Sequence, residues 1–292
     1  MEAIKEQLKS EMLIWDSSKH CDIHNSDFLY MPGGQESGES YCPVCWRDAE
    51  TKKLSQEFTK QLLDVDRVKK HKTLGSKSII QDNTIKAATF DSFKPTNAEE
   101  QRNKDHALNV AMRYCKGDVF NTWIQSAETG VGKSHLAMSI LKVVNAYGNQ
   151  ETSCLFVDVA RMMELILDSF DNKNKAADAQ SIYTGTYFTT LCGEVDLLVL
   201  DDLGAETGDI FSNKRASEYT SKVLRSIFNA RQDKSTIITT NLSGKLLTGY
   251  KDKDGNEHAG MYDKKMISRA MVNIESIVFK ESVDKRPSKL EF

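Results

Sequence analysis

The eight residues AETGVGKS, Ala127 to Ser134, follow the order of a phosphate-binding loop, G-x-x-x-x-G-K-[ST], with alanine in place of the first glycine. Glycines at 130 and 132 let backbone N–H groups converge on phosphate oxygens, and the helix expected to open at Lys133 adds its partial positive charge. Lys133 is placed to reach the outer phosphates and the Ser134 hydroxyl to ligate Mg²⁺. The residues set against the ligand are therefore Thr129, Gly130, Val131, Gly132, Lys133, Ser134 and the adjoining His135. Taken alone, the stretch also fits a Gly-rich strand-to-helix turn carrying a surface lysine.

A second stretch argues against that plainer reading. VDLLVLDDLG, Val195 to Gly204, is an apolar strand ending in two carboxylates. Asp201 at the strand tip can hold Mg²⁺, and Asp202 can orient or deprotonate an attacking water. Paired aspartates can also simply begin a loop and cap the next helix. A third stretch, STIITTNLS, ends a strand at Asn241, whose neutral amide can hold the lytic water; an asparagine also suits a turn at a strand end. Together the three pieces have the order of an ATPase with ATP and Mg²⁺ as ligands.

Different chemistry lies near the start of the chain. CDIH places Cys21 beside His24, and CPVC places Cys42 beside Cys45. C-x₂-H followed by C-x₂-C suits tetrahedral Zn²⁺, and four protein ligands make the site structural. Gly33, Gly34 and Gly38 ease the reversal between the pairs, while His20 could compete with its neighbours as a ligand. So small a region has few apolar residues, so metal binding would supply much of its stability. Cys115, Cys154 and Cys192 read as buried apolar residues.

The elements that must carry these residues follow from composition and periodicity. With 292 residues, 39% hydrophobic, 28% charged and a net charge of -3, the chain reads as an ordinary soluble globular protein without a generally basic surface. Its first residues lack the apolar core of a signal peptide and no run is long enough to span a bilayer, so a cytoplasmic protein with reduced cysteines is expected. Ile4, Leu8, Met12 and Trp15 fall at helical spacing; Leu54, Phe58, Leu62, Val65 and Val68 mark one face of an amphipathic helix; KKHKTLGSKS reads as a linker. Beyond it, strands are expected at Phe120–Gln125, Cys154–Val159, Leu197–Leu200, Thr236–Thr240 and Ser276–Phe279, separated by helices. That alternation indicates an α/β fold with a five-stranded parallel sheet covered on both faces. DNKNKAADAQ and KDKDGNEHAG read as surface loops. The expected domains are a zinc-binding module at 1–50, a charged helix and linker at 51–86, and a nucleotide-binding domain at 87–292.

From about Thr89 onward the chain resembles the AAA+ ATPases, and within them the DnaC/DnaI type of replicative helicase loader. The resemblance is carried by TFDSFKPTN, ETGVGKSHLA, VDLLVLDDLGAE, TIITTNLS and KKMISRAMVNIESIVFKESVDKR. Loaders usually carry Asp-Glu where this chain has Asp201-Asp202, so the shorter Asp202 must reach water across a longer gap. The resemblance implies Phe90 and Phe93 near the adenine, although both also suit core packing. It implies Arg269 as a finger reaching a neighbouring subunit's ATP, where a surface or salt-bridged arginine is the plainer alternative, and Arg286 as a second phosphate sensor. It also implies single-stranded DNA contacts at Phe170, Lys173 and Lys175, with Lys214 and Arg215 weaker candidates; Phe170 could equally pack on Met162, Met163 and Leu167. Few residues follow the last strand, so neither a C-terminal lid nor a helix-turn-helix domain is expected, unlike DnaA-type initiators.

A zinc module ahead of such a core resembles the DnaI branch of Gram-positive bacteria and their phages, where that module grips the helicase. The expectation is an ATP-dependent loader of a DnaB-type helicase onto single-stranded DNA, self-associating through its ATPase domain, with weak hydrolysis dependent on assembly or DNA. The helix from Leu54 to Val68 would join the grip or pack on the zinc module. An IstB-type transposition helper and a nucleotide-switched zinc adaptor without turnover are the alternative expectations.

Overall fold

The computed structural model describes residues 14–30, 40–148, 152–171, 182–205, 218–253 and 255–286. Ile4, Leu8, Met12, Gly33, Gly34, Gly38, Lys173, Lys175, Lys214 and Arg215 lie outside the described residues. The chain divides into two compact units, 1–66 and 67–292.

In the first unit, β1 (Ile14–Cys21), β2 (Ser26–Tyr30) and β3 (Ser40–Tyr41) form an antiparallel sheet in that order. Trp15 sits on β1, so it does not continue the helical stripe expected of it. Helix α1 (Pro43–Lys77) opens on a proline, whose fixed φ and missing N–H suit a first helical turn. Leu54, Phe58, Leu62, Val65 and Val68 are all more than half exposed, so of the two expectations for this face the packed one is not met. The stretch expected to be a linker is helical to Lys77. Leu74, Ile80 and Ile85 pack against the core of the second unit, and such burial outweighs the local signal of one glycine and two serines.

The second unit continues with α2 (Asn83–Ala87) and α3 (Ala98–Cys115), then β4 (Asn121–Ser126) and α4 (Lys133–Tyr147). Next come β5 (Cys154–Asp158), α5 (Val159–Asp171), α6 (Gly185–Glu194), β6 (Leu197–Asp201) and α7 (Glu218–Asn229). The chain closes with β7 (Ser235–Thr240), α8 (Gly244–Thr248), β8 (Gly249–Lys251), β9 (Glu257–Ala259), α9 (Lys264–Ala270) and β10 (Ile274–Phe279). The five expected strands are β4, β5, β6, β7 and β10. They form one sheet in the order β10-β4-β7-β6-β5, parallel at every pairing.

Alternation along the strands sorts the core into two layers. Leu155, Val157, Leu198, Leu200 and Ile238 face α5, α6 and α7, while Phe156, Leu197, Val199 and Ile237 face α3 and α4. A strand buried on both faces must be apolar throughout, which is why these segments read as continuous hydrophobic runs. Of the cysteines, Cys154 and Cys192 are buried and Cys115 is half-buried.

A further expectation is corrected. KDKDGNEHAG is not a plain loop: Gly249–Lys251 pairs with Glu257–Ala259 as a hairpin, its turn closed by Gly255 at φ 85. No helix among the described residues is long and apolar enough to cross a membrane.

Candidate nucleotide and metal sites

In a parallel sheet the carboxyl ends of the strands share one edge, and here that edge gathers most of the expected chemistry. β4 ends at Ser126 and the loop closes on Gly132, whose φ of 103 is left-handed. Gly132 serves as N-cap of α4 without a side-chain bond, so the first N–H groups of a 15-residue helix face the loop. A Cβ at Gly132 would strike the Phe93 ring, which fixes glycine there twice over.

Lys133 is buried and makes two hydrogen bonds. Its Nζ donates to Asn241 Oδ1 at 2.6 Å and to the Glu128 carbonyl at 2.9 Å. Asn241 Nδ2 in turn donates to Asp202 Oδ1 at 2.8 Å. Loop lysine, strand-end amide and second aspartate thus form one chain of contacts. Burial lowers the Lys133 pKa, while Asp202 and Asp201 oppose that shift.

Asp201 is enclosed. The Thr239 hydroxyl donates to its Oδ1 at 2.6 Å, and the nearby Ser134 hydroxyl also favours its charged form. Burial pushes its pKa up to about 7 against both hydroxyls, and the charge of Asp202 adds to the rise. Burial raises Asp202 as well, and its φ of 56 is an uncommon left-handed backbone for a residue with a side chain. The Asp202 N–H donates to Thr239 Oγ1 at 2.8 Å, so a single threonine holds both aspartates.

The sequence reading missed several members of the cluster. Thr239 appeared only as a strand residue. Asp158, at the tip of β5, pairs in register with Asp201 and raises the pKa of both aspartates by its charge. Its signal was an aspartate closing an apolar run, LFVD, the same pattern that drew attention to Asp201. Asp158 thus adds its charge to the two aspartates that Lys133 faces, and a divalent cation would neutralise the excess. Ser134 and Asp201 offer adjacent hard oxygen donors, a set that fits Mg²⁺.

The remaining expected residues fall in three places. Phe93 is buried, T-shaped against His135 at 5.5 Å between ring centroids, and Phe90 is half-buried in the same cluster. His135 Nε2 lies 2.9 Å from the Thr89 carbonyl and 3.0 Å from Ser92 Oγ, and burial lowers its pKa. Arg286 reaches the loop, donating to Thr129 Oγ1 at 2.8 Å. Arg269 is exposed on α9 and takes no part in this network. Phe170 on α5 packs edge-on against Tyr219 at 5.3 Å, a partner the sequence did not suggest.

In the other unit, Cys21 ends β1, His24 sits in the β1–β2 turn, Cys42 follows β3 and Cys45 lies in the first turn of α1. Their four donor atoms lie within 4.8 Å of one another. Cys21 Sγ is 3.8 Å from Cys45 Sγ, and His24 Nδ1 is 3.7, 3.7 and 3.2 Å from the sulfurs of Cys21, Cys42 and Cys45. A tetrahedral zinc shell with bonds of about 2.3 Å needs donor separations of roughly 3.8 Å, so the set fits. The Ser26 hydroxyl, 3.3 Å from Cys42 Sγ, leads in lowering that thiol, while burial and the neighbouring thiols raise Cys45; a bound cation would favour the thiolate of both. His20 is turned aside, bonded to Asp27 and Asn25, and does not compete.

Strand order and loop together define a P-loop α/β fold. No protein-family model matches the chain and no curated protein matches it. Among solved structures it is similar to the DnaC helicase loader, at 23% identity over 68% of this chain and 100% of that one, with a TM-score of 0.48. It is also similar to DnaI, at 19% identity over 70% and 96% of the two chains, TM-score 0.48. A third is domain III of the Thermotoga maritima replication initiation protein DnaA, at 16% identity over 69% of each chain, TM-score 0.46.

Proposed function

We propose that the chain is an ATPase that loads a hexameric, DnaB-type replicative helicase onto single-stranded DNA. The observation that carries the nucleotide reading is the contact chain Lys133–Asn241–Asp202, with the Ser134 hydroxyl favouring the charged form of Asp201 beside it. It unites the three motifs that sequence alone could only set in order. The loader reading rests further on the sequence resemblance described above.

In this reading the loop N–H groups and Lys133 hold the phosphates, and Ser134 and Asp201 hold Mg²⁺. Bound there, the cation supplies charge neutralisation for the transferring phosphoryl group. Asn241 positions the lytic water and Asp202 accepts its proton; with phosphates present, Lys133 turns from the amide to the ligand. Phe90, Phe93 and His135 enclose the base, and Arg269 from a neighbouring copy completes the site, so hydrolysis follows assembly. Cys21, His24, Cys42 and Cys45 hold a structural zinc that fixes the module contacting the helicase, and the exposed α1 face extends that contact. Phe170, with Lys173 and Lys175, meets single-stranded DNA in the bacterial cytoplasm.

The test is co-purification with the replicative helicase of the source organism, with and without ATP. The expected result is an ATP-sensitive complex that stimulates helicase deposition on single-stranded DNA. Binding to duplex DNA and a transposase, with no helicase retained, would replace this reading with that of a transposition helper.

A further inference from the structure

The segment after β10 is pinned at both ends of its path. The backbone N–H groups of Lys280 and Glu281 donate to the Glu99 carboxylate at 2.9 to 3.2 Å, and Ser282 Oγ adds a bond at 2.9 Å. Lys285 Nζ reaches the fully buried Glu100 at 2.6 Å and lies 4.3 Å from the centre of the Phe93 ring. The Lys285 N–H donates to the Gly130 carbonyl at 3.2 Å. Both acids stand in the first turn of α3, so one helix start anchors the segment across the loop.

Between these anchors lies Asp284. Its carboxylate sits so close to Gly130 that a Cβ there would collide with it, and Gly130 adopts a left-handed φ of 69. Arg286 binds the same carboxylate through Nε at 3.0 Å and Nη2 at 2.6 Å, while Nη2 also meets Thr129 Oγ1. The stretch whose glycines and helix start favour anions therefore carries an anion of the protein's own.

We infer that residues 282–286 form a strap over the phosphate loop in which Asp284 is an internal anion that incoming nucleotide phosphates displace. Displacement passes Arg286 from Asp284 to the phosphates. This rests on the nucleotide reading of the Lys133 loop. Asp284 is held down to about 2 chiefly by Arg286, so it keeps its charge at any physiological pH. A fixed negative charge beside the site opposes a triphosphate, and anchoring by Glu99 and Glu100 keeps it there. The nucleotide-free form is thereby favoured until ATP is abundant.

The experiment is titration of a fluorescent ATP analogue into the full chain and its Asp284→Asn, Arg286→Ala and Lys133→Ala variants at two salt concentrations. Asp284→Asn keeps the shape and removes the charge; it should bind about five- to tenfold more tightly, with the gain shrinking at high salt. Arg286→Ala should bind more weakly. If Asp284→Asn binds no better than wild type, or weakens like Arg286→Ala, the aspartate only positions the arginine and the inference fails. The nucleotide reading fails separately: that result is a wild type that binds no nucleotide, or binding that survives in Lys133→Ala. A second variant, Asp284→Ser, should match Asn if charge alone matters.

Discussion

At the scale of single residues, the amide of Asn241 is the joint between the lysine and the carboxylate side of the site. A residue that orients the lytic water contributes to the transition state more than to ground-state binding. Asn241→Ala should therefore slow single-turnover ATP hydrolysis by about two orders of magnitude while changing nucleotide affinity far less. Equal losses of affinity and rate would instead mark Asn241 as a ground-state support for Lys133. The motif residues were legible because each is set by local chain chemistry: glycine for left-handed turns, a carboxylate after an apolar strand. Thr239, Asp158 and Asp284 were not. Their roles depend on neighbours 38, 43 and 154 residues away in sequence, at Asp201, Asp201 and Gly130, which only the closed sheet and the strap bring near.

At the scale of elements, the sheet is tied to its flanking helices by a buried cation without a direct carboxylate partner among the described residues. Arg231, 4% exposed, donates to the carbonyls of Cys192, Val195, Asp196 and Ser235 and to the Thr236 hydroxyl. It closes the end of α6 against the starts of β6 and β7. Arg231→Met would fill similar volume but leave these four carbonyls without this donor, each costing about 1–3 kcal/mol, for a loss of at least about 4 kcal/mol. The denaturant midpoint of the 67–292 unit reads this directly.

The anchors at Glu99 and Glu100 belong to the same scale. Burial raises the pKa of each, but backbone and side-chain bonds at Glu99, and Lys285 with Thr96 at Glu100, outweigh it and hold both below the ordinary value of 4.5. A carboxylate with a depressed folded pKa stabilises the folded state fully above its unfolded pKa, and that stability is lost as pH falls through the folded value. The fold should therefore keep this contribution above about pH 5 and lose it progressively below pH 4.5, with Glu99→Gln flattening the acid limb of the stability curve. The boundaries of the five parallel strands were legible to within two residues because strands buried on both faces cannot be polar. The last turns of α1 and the β8–β9 hairpin were not, since packing of Leu74 and pairing of Tyr250 with His258 are tertiary facts.

At the scale of the whole molecule, two units of different chemistry share one chain. Among its described residues the first has three strands and few buried apolar side chains, so a metal held by Cys21, His24, Cys42 and Cys45 should carry its stability; the second has a core of its own. Zinc removal by a chelator should abolish hydrogen-exchange protection in β1 and β2 while leaving ATP binding in the second unit unchanged. Helicase binding, in the loader reading, should disappear together with the zinc. The metal-ligand set was legible in the sequence through the cysteine spacing, whereas the open face of α1 was not, because periodicity shows that a helix has an apolar side without showing what covers it. The account as a whole depends on a single Mg²⁺–triphosphate held between the Lys133 loop and Asp201. Calorimetric titration of ATP, with Mg²⁺ or with chelator, into wild type, Lys133→Ala and Asp201→Asn tests it most directly. Wild type should bind more tightly with Mg²⁺, Asp201→Asn should bind equally with and without it, and Lys133→Ala should not bind. Undiminished affinity in Lys133→Ala, or an intact Mg²⁺ effect in Asp201→Asn, would contradict it.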